Sequence, residues 1–110
     1  MKLPNADRAV VEIEKLTDYC LSPHHLRGRH KARVFAAVLG LTAADADALR
    51  DALMDAAQSQ EVVLGETDDF GQRYVLDFLM RGARGTAAVR STWIVRRGED
   101  FPRLTSCYVL

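Results

Sequence analysis

Histidine is the side chain whose ordinary pKa moves its proton on and off near neutrality. All three histidines of this chain, His24, His25 and His30, fall between Ser22 and Arg33, in the string SPHHLRGRHKAR. Arg27, Arg29, Lys31 and Arg33 share that string, and no acidic residue interrupts it. Pro23 and Gly28 keep its first half out of regular structure, and its second half runs into an apolar helical pattern. Titratable and cationic groups crowded ahead of a helix start suit an anionic ligand. Metal-independent cleavage of an RNA phosphodiester asks for a base to take the 2′-hydroxyl proton, an acid for the leaving oxygen and a cation for the charged phosphorane. On this reading His25 is general acid or base, Lys31 and Arg103 are cations on the phosphate, and Thr105 orients a phosphate oxygen. His30, Arg90 and Thr92 are the expected substrate contacts. The plain alternatives are a solvated surface connection and a protein-partner site.

Other chemistries find less support. There is no Walker loop, no GxGxxG, no HExxH, no CxxC and no GxSxG. His24 and His25 are adjacent and cannot easily converge on one ion, and no cysteine or carboxylate joins the histidines locally, so neither a metal nor another cofactor is expected. Two cysteines, Cys20 and Cys107, are too few for a disulfide framework. They are expected to be reduced, buried thiols of a cytoplasmic protein. The opening residues MKLPNADRAV lack the apolar core of a signal peptide, and no apolar run reaches the roughly 20 residues that cross a bilayer.

The 110 residues, 48% of them hydrophobic, fit one domain spanning 1–110. The net charge of +0 argues against a protein that coats nucleic acid non-specifically, yet the charge is unevenly spread. Residues 42–69 are acidic, while seven arginines follow Gln72 against Asp77, Glu99 and Asp100.

The elements that must position these residues follow from periodicity. Arg8 to Val11 reads as a short strand. Ile13, Leu16, Tyr19 and Cys20 sit at helical spacing, and Ser22-Pro23 ends that helix. Ala32, Phe35, Ala36 and Leu39, widened by Val34 and Val38, predict the most buried helix, with Gly40 just past its end. Thr42 with Asp45 three residues on predicts a helix start, and Leu49, Ala52, Leu53 and Ala56 carry that helix to about Gln58. Four strands follow: Glu61 to Leu64, Gln72 to Met80, Thr86 to Arg97 and Arg103 to Leu110. Strict alternation in the last opposes Arg103, Thr105, Cys107 and Val109 to Leu104, Ser106, Tyr108 and Leu110. The order predicts an α+β fold, about three N-terminal helices on one face of an antiparallel four-stranded meander. Trp93, Val89, Tyr74, Phe78 and Leu104 are expected on the covered face, and Arg90, Thr92, Asp77, Arg103 and Thr105 on the open one.

The strings KLPNADRAVVEIEKLTDYCLSPHHLRGRHKARVF, DDFGQRYVLDF and STWIVRRGEDFPRLTSCYVL resemble a family of small bacterial domains of unknown function. Its members stand alone or end larger bacterial or phage-associated proteins. His25, Gly28, Lys31-Ala32, Gly71, Tyr74, Ser91-x-Trp93 and Pro102-Arg103-Leu104 carry the resemblance. A looser similarity of architecture is to the barnase, EndoU, colicin and RelE class of ribonuclease toxins. It implies a site of His, Lys or Arg, and Ser or Thr on the open sheet face, here His25, Lys31, Arg103 and Thr105. The implied partners are RNA, or a protein such as a cognate antitoxin or toxin. The other reading is a non-enzymatic antitoxin, immunity or assembly protein, with the acidic 42–58 helix or an edge strand as its docking surface.

Overall fold

A sheet with one apolar face must bury that face, and here the N-terminal half of the chain supplies the cover. The computed structural model describes residues 1–110. Helix α1 (Ile13–Lys15) widens into a π-type turn, Leu16–Cys20, and α2 (Arg29–Val34) does the same over Phe35–Leu39. A 3-10 turn, Ala43–Asp45, leads into α3 (Ala46–Ser59). Strands β1 (Val63–Asp68), β2 (Gly71–Gly82), β3 (Gly85–Arg96) and β4 (Pro102–Val109) form one antiparallel sheet in the order β1-β2-β3-β4. The fold is therefore α+β, as the sequence predicts. No helix is long and apolar enough to cross a membrane.

The local signals act as expected at several points. Thr42 and Asp45 form a reciprocal capping box at the start of the third helical segment. Gly40 takes the left-handed conformation (φ 72°) that ends the second. Tyr74, Leu76, Phe78 and Met80 from β2 meet Val89 and Trp93 from β3 and Leu104 from β4 in the core. Trp93 and Val89 are fully buried. The open face carries Asp77, Arg90, Thr92, Arg103 and Thr105. Ile94 is also buried there, although it faces away from the helices. Its cross-strand neighbours are Arg73 and Arg103, long side chains whose apolar stems can cover it.

Four expectations are corrected. The Arg8–Val11 segment is not a strand. A 3-10 turn spans Ala6–Arg8, and only Val10 pairs, in parallel, beside Arg103 at the start of β4. The second helical segment is not the most buried, because Val34 and Val38 are each 39% exposed, whereas α3 buries Ala46, Leu49, Leu53, Ala56 and Ala57. Strand β1 extends through the acidic stretch to Asp68. Polar residues are accommodated there because β1 is an edge strand and nearly all of its residues are solvent-exposed. Strict alternation fails in β4. Thr92 pairs with Ser106 but Trp93 pairs with Leu104, so Thr105 is an extra residue and the strand bulges. Leu104 and Cys107, three apart, thus both reach the core.

One buried polar group ties the sheet face together. Ser91 Oγ donates to the Leu76 carbonyl and accepts from Trp93 Nε1, each at 2.9 Å, and no solvent reaches it. Replacing Ser91 with Ala leaves the indole N–H without its partner in a dry environment. Ser91→Ala should lower stability by about 2 kcal/mol, read as a lower urea midpoint at an unchanged m value. A loss below about 0.5 kcal/mol would show that the network contributes little.

Candidate functional site

The basic loop is anchored through His25. Its Nδ1 accepts hydrogen bonds from the backbone N–H groups of Arg27 and Gly28, both at 3.0 Å. With Nδ1 so engaged, the neutral imidazole carries its proton on Nε2. The ring packs edge-to-face with Tyr19, centroids 4.8 Å apart at 87°. Gly28 permits this approach, since a Cβ there would lie 2.2 Å from the Tyr19 carbonyl oxygen. The loop is thereby pressed onto the first helix, and α2 starts immediately beyond it.

The first turn of α2 delivers Lys31 to the sheet. Its Nζ donates to Tyr19 Oη at 2.9 Å and to Ser106 Oγ, from the bulged part of β4, at 3.3 Å. The ammonium also lies 4.9 Å from the Tyr19 ring centre and 5.5 Å from that of Tyr108. Every one of these partners is neutral, and Lys31 forms no ion pair. An ammonium has three N–H donors, so one remains for a further acceptor. A half-buried cation without a carboxylate partner is a place where an anion gains more than it would in open water.

The arginines are arranged differently. Arg90 is held in a two-pronged pair by Asp77 (2.8 and 2.9 Å), and this hydrogen bonding raises its pKa and lowers that of Asp77. Arg103 makes the same kind of pair with Glu99 (2.9 and 3.0 Å), approaches Glu12 at 3.5 Å and stacks on Phe101 at 4.9 Å. Thr92 and Thr105 share a 2.6 Å hydrogen bond between hydroxyls, and Thr105 Oγ1 also donates to the Thr92 carbonyl. The structure thus brings His25, Lys31 and β4 together through Tyr19, and places Thr92 and Thr105 beside Ser106 in the ladder. Arg103 lies further along β4 in its own carboxylate cluster. His30 is exposed on α2 without a side-chain hydrogen bond.

Below Lys31 sits a buried thiol pair. Hydrogen bonding with Cys107 holds the Cys20 thiol down at about 7 against the opposing effect of burial, helped by the Ser106 hydroxyl and the Lys31 charge. The same interaction, with burial, pushes Cys107 well above its ordinary value. Two cavities flank the loop. One, about 520 Å³, is lined by Tyr19, His25, Lys15 and Arg27 but also by Glu12, Glu14 and Asp18. The other, about 590 Å³, lies between α2 and the start of the third helical segment and has no carboxylate in its lining. No cluster of three or more His, Cys, Asp or Glu has metal-binding geometry.

Residues 2–110 match the family described as Domain of unknown function (DUF6883). The chain belongs to this family. No curated protein matches it. Among solved structures it shares its fold with a chain of a contact-dependent growth inhibition toxin–immunity protein complex from Klebsiella pneumoniae 342. The TM-score is 0.70 and the identity 19%, over 92% of this chain and 99% of that one.

Sequence reasoning missed Tyr19, Ser106 and Tyr108. Tyr19 reads as one more apolar position of a helical stripe, and the bulge that brings Ser106 to Lys31 has no signature in the strand pattern. The thiol pair generates a pH dependence. From about pH 7 to 9 the native pair gives up one proton that the unfolded chain keeps, so stability rises with pH. Above about 9 the unfolded thiols ionise while Cys107 stays protonated, so stability falls again. Thermal unfolding from pH 6.5 to 10.5 should therefore show a maximum near pH 9 that Cys20→Ala removes. An identical profile in Cys20→Ala would contradict the pairing.

Proposed function

We propose that this is a toxin-type domain that binds an RNA phosphodiester at Lys31 and cleaves it without a metal ion. The observation that carries the reading is the Lys31 ammonium, half-buried among neutral hydroxyls, with no carboxylate partner and one donor free. In the proposed reaction the 2′-oxygen bonds to phosphorus and the P–O5′ bond breaks, leaving a 2′,3′-cyclic phosphate and a 5′-hydroxyl. Lys31 stabilises the charge that gathers on the non-bridging oxygens. Tyr19 is the proton-exchanging hydroxyl beside it, taking the 2′-hydroxyl proton as it passes its own toward the leaving oxygen. His25 offers its Nε2–H to the phosphate, while the Thr92 and Thr105 hydroxyls, bonded to each other and to the backbone, fix the bulged part of β4 that carries Ser106. Arg90 and Arg103 are each held by carboxylates, Asp77 on β2 and Glu99 in the β3–β4 loop, and take no direct part in this reaction. An RNA target places the action in the cytoplasm.

A specific observation also favours a protein partner. Val63, Phe70 and Leu79 are 70, 71 and 77% exposed. All three lie toward the β1–β2 side of the sheet, away from Lys31, and β1 has a free edge. The fold is shared with a chain taken from a toxin–immunity protein complex, and a toxin with an immunity partner needs both a site and a docking surface.

The test is cleavage of total bacterial RNA in EDTA by wild type, Lys31→Met and Tyr19→Phe, each first shown to be folded by circular dichroism. Wild type should cut, and each variant should lose at least roughly 100-fold. Absence of cutting by wild type, or undiminished cutting by Lys31→Met, would overturn the proposal.

A further inference from the structure

The larger cavity is built for a different part of a ligand from the part Lys31 would hold. Leu21, Ala32 and Leu41 give it an apolar floor, and Arg29, Arg33 and His24 stand at its rim. Neither arginine is in an ion pair, in contrast to Arg90 and Arg103, and both are exposed. Its volume, about 590 Å³, falls within the roughly 300–1,000 Å³ of small-ligand sites. The smaller cavity across the loop has three carboxylates, Glu12, Glu14 and Asp18, which repel an anion. The absence of any carboxylate from the larger one makes it the better place for a group that is flat and apolar at one end and anionic at the other.

Helix geometry fixes how the two sites relate. Arg29, Ala32, Arg33 and Ala36 follow the i, i+3, i+4, i+7 spacing and form one stripe of the second helical segment. Lys31 is two residues from each arginine, roughly 200° around the helix. The ammonium and the two guanidiniums therefore lie on opposite flanks of α2, with His30 exposed on the crest between them.

We propose that the cavity beside Arg29 and Arg33 is a nucleotide subsite that takes the base of the RNA residue next to the one held at Lys31. The strand crosses α2 over His30. Arg29 and Arg33 hold the phosphate, and the apolar floor receives the base, a combination of backbone charge and base burial common to single-strand binding. This rests on the RNA reading of Lys31, and its test is a binding measurement that needs no cleavage.

The probe is a fluorescently labelled RNA tetranucleotide with 2′-O-methyl groups, which has no free 2′-hydroxyl to attack. Anisotropy is followed for wild type, for Arg29→Ala/Arg33→Ala, and for Arg27→Ala as a control for charge outside the cavity. The double variant should weaken binding at least roughly tenfold and Arg27→Ala by much less, and AMP should displace the probe better than ribose 5-phosphate. Equal weakening by Arg27→Ala would reduce the effect to general charge and overturn the subsite. Equal competition by ribose 5-phosphate would show that no base is read, and displacement by an acidic peptide better than by AMP would assign the cavity to a protein; either result overturns it. Failure of the RNA-cleavage reading looks different: the tetranucleotide binds through Arg29 and Arg33, yet wild type cuts no RNA in EDTA.

Discussion

The bulge in β4 is the constraint on which the site depends. A regular strand would put Leu104, Ser106 and Tyr108 on one face and Cys107 on the other. Opposite Thr92 and Trp93 the chain instead inserts Thr105, so that Leu104 and Cys107 both enter the core. The gain is apolar burial at two positions, and the cost is an interrupted ladder. The consequence is that Ser106 meets Lys31 at the free edge of the sheet. The same edge is protected at its other end by Val10, whose carbonyl accepts from Leu104 N–H and whose N–H donates to the Pro102 carbonyl.

Around that edge the charges divide into two kinds. On the sheet, Arg73, Arg90 and Arg103 are each matched by a carboxylate, Asp68, Asp77 and Glu99. These pairs are part-exposed, so each adds little stability, but the first two fix side-chain geometry across strands and the third ties β4 to the loop before it. On the loop and α2, Arg27, Arg29, Lys31 and Arg33 have no such partners. A chain with no net charge thus carries a concentrated positive region, and the only cation of that region tucked against the sheet is Lys31. Pairing distinguishes the two better than residue type does, since arginines occur in both.

Much of the fold was legible because its signals were local. Alternation in Gln72 to Met80 and Thr86 to Arg97 named the covered face, and Thr42, Asp45 and Gly40 marked helix ends through chemistry confined to a few residues. Burial of the second helical segment was misjudged because apolar content does not say which face finds a partner, and Val34 and Val38 point outward. The site was legible in part. His25 and Lys31 stood out as a basic, acid-free run, and they do approach the sheet. Tyr19 and Ser106, which connect them to it, come from positions twelve residues before and seventy-five after Lys31. The ion pairing of Arg103 with Glu12 is likewise a long-range fact that a strand pattern does not contain.

The account turns on whether an anion occupies the free donor of Lys31. The direct measurement is an NMR titration of the isotopically labelled protein with an uncleavable 2′-O-methyl dinucleotide, following backbone amides and the lysine ammonium groups. Saturable shifts centred on Lys31, Tyr19, Ser106 and Tyr108, absent in Lys31→Met, are the predicted result. Shifts confined to the β1–β2 side, or unchanged spectra at those four residues, would contradict it.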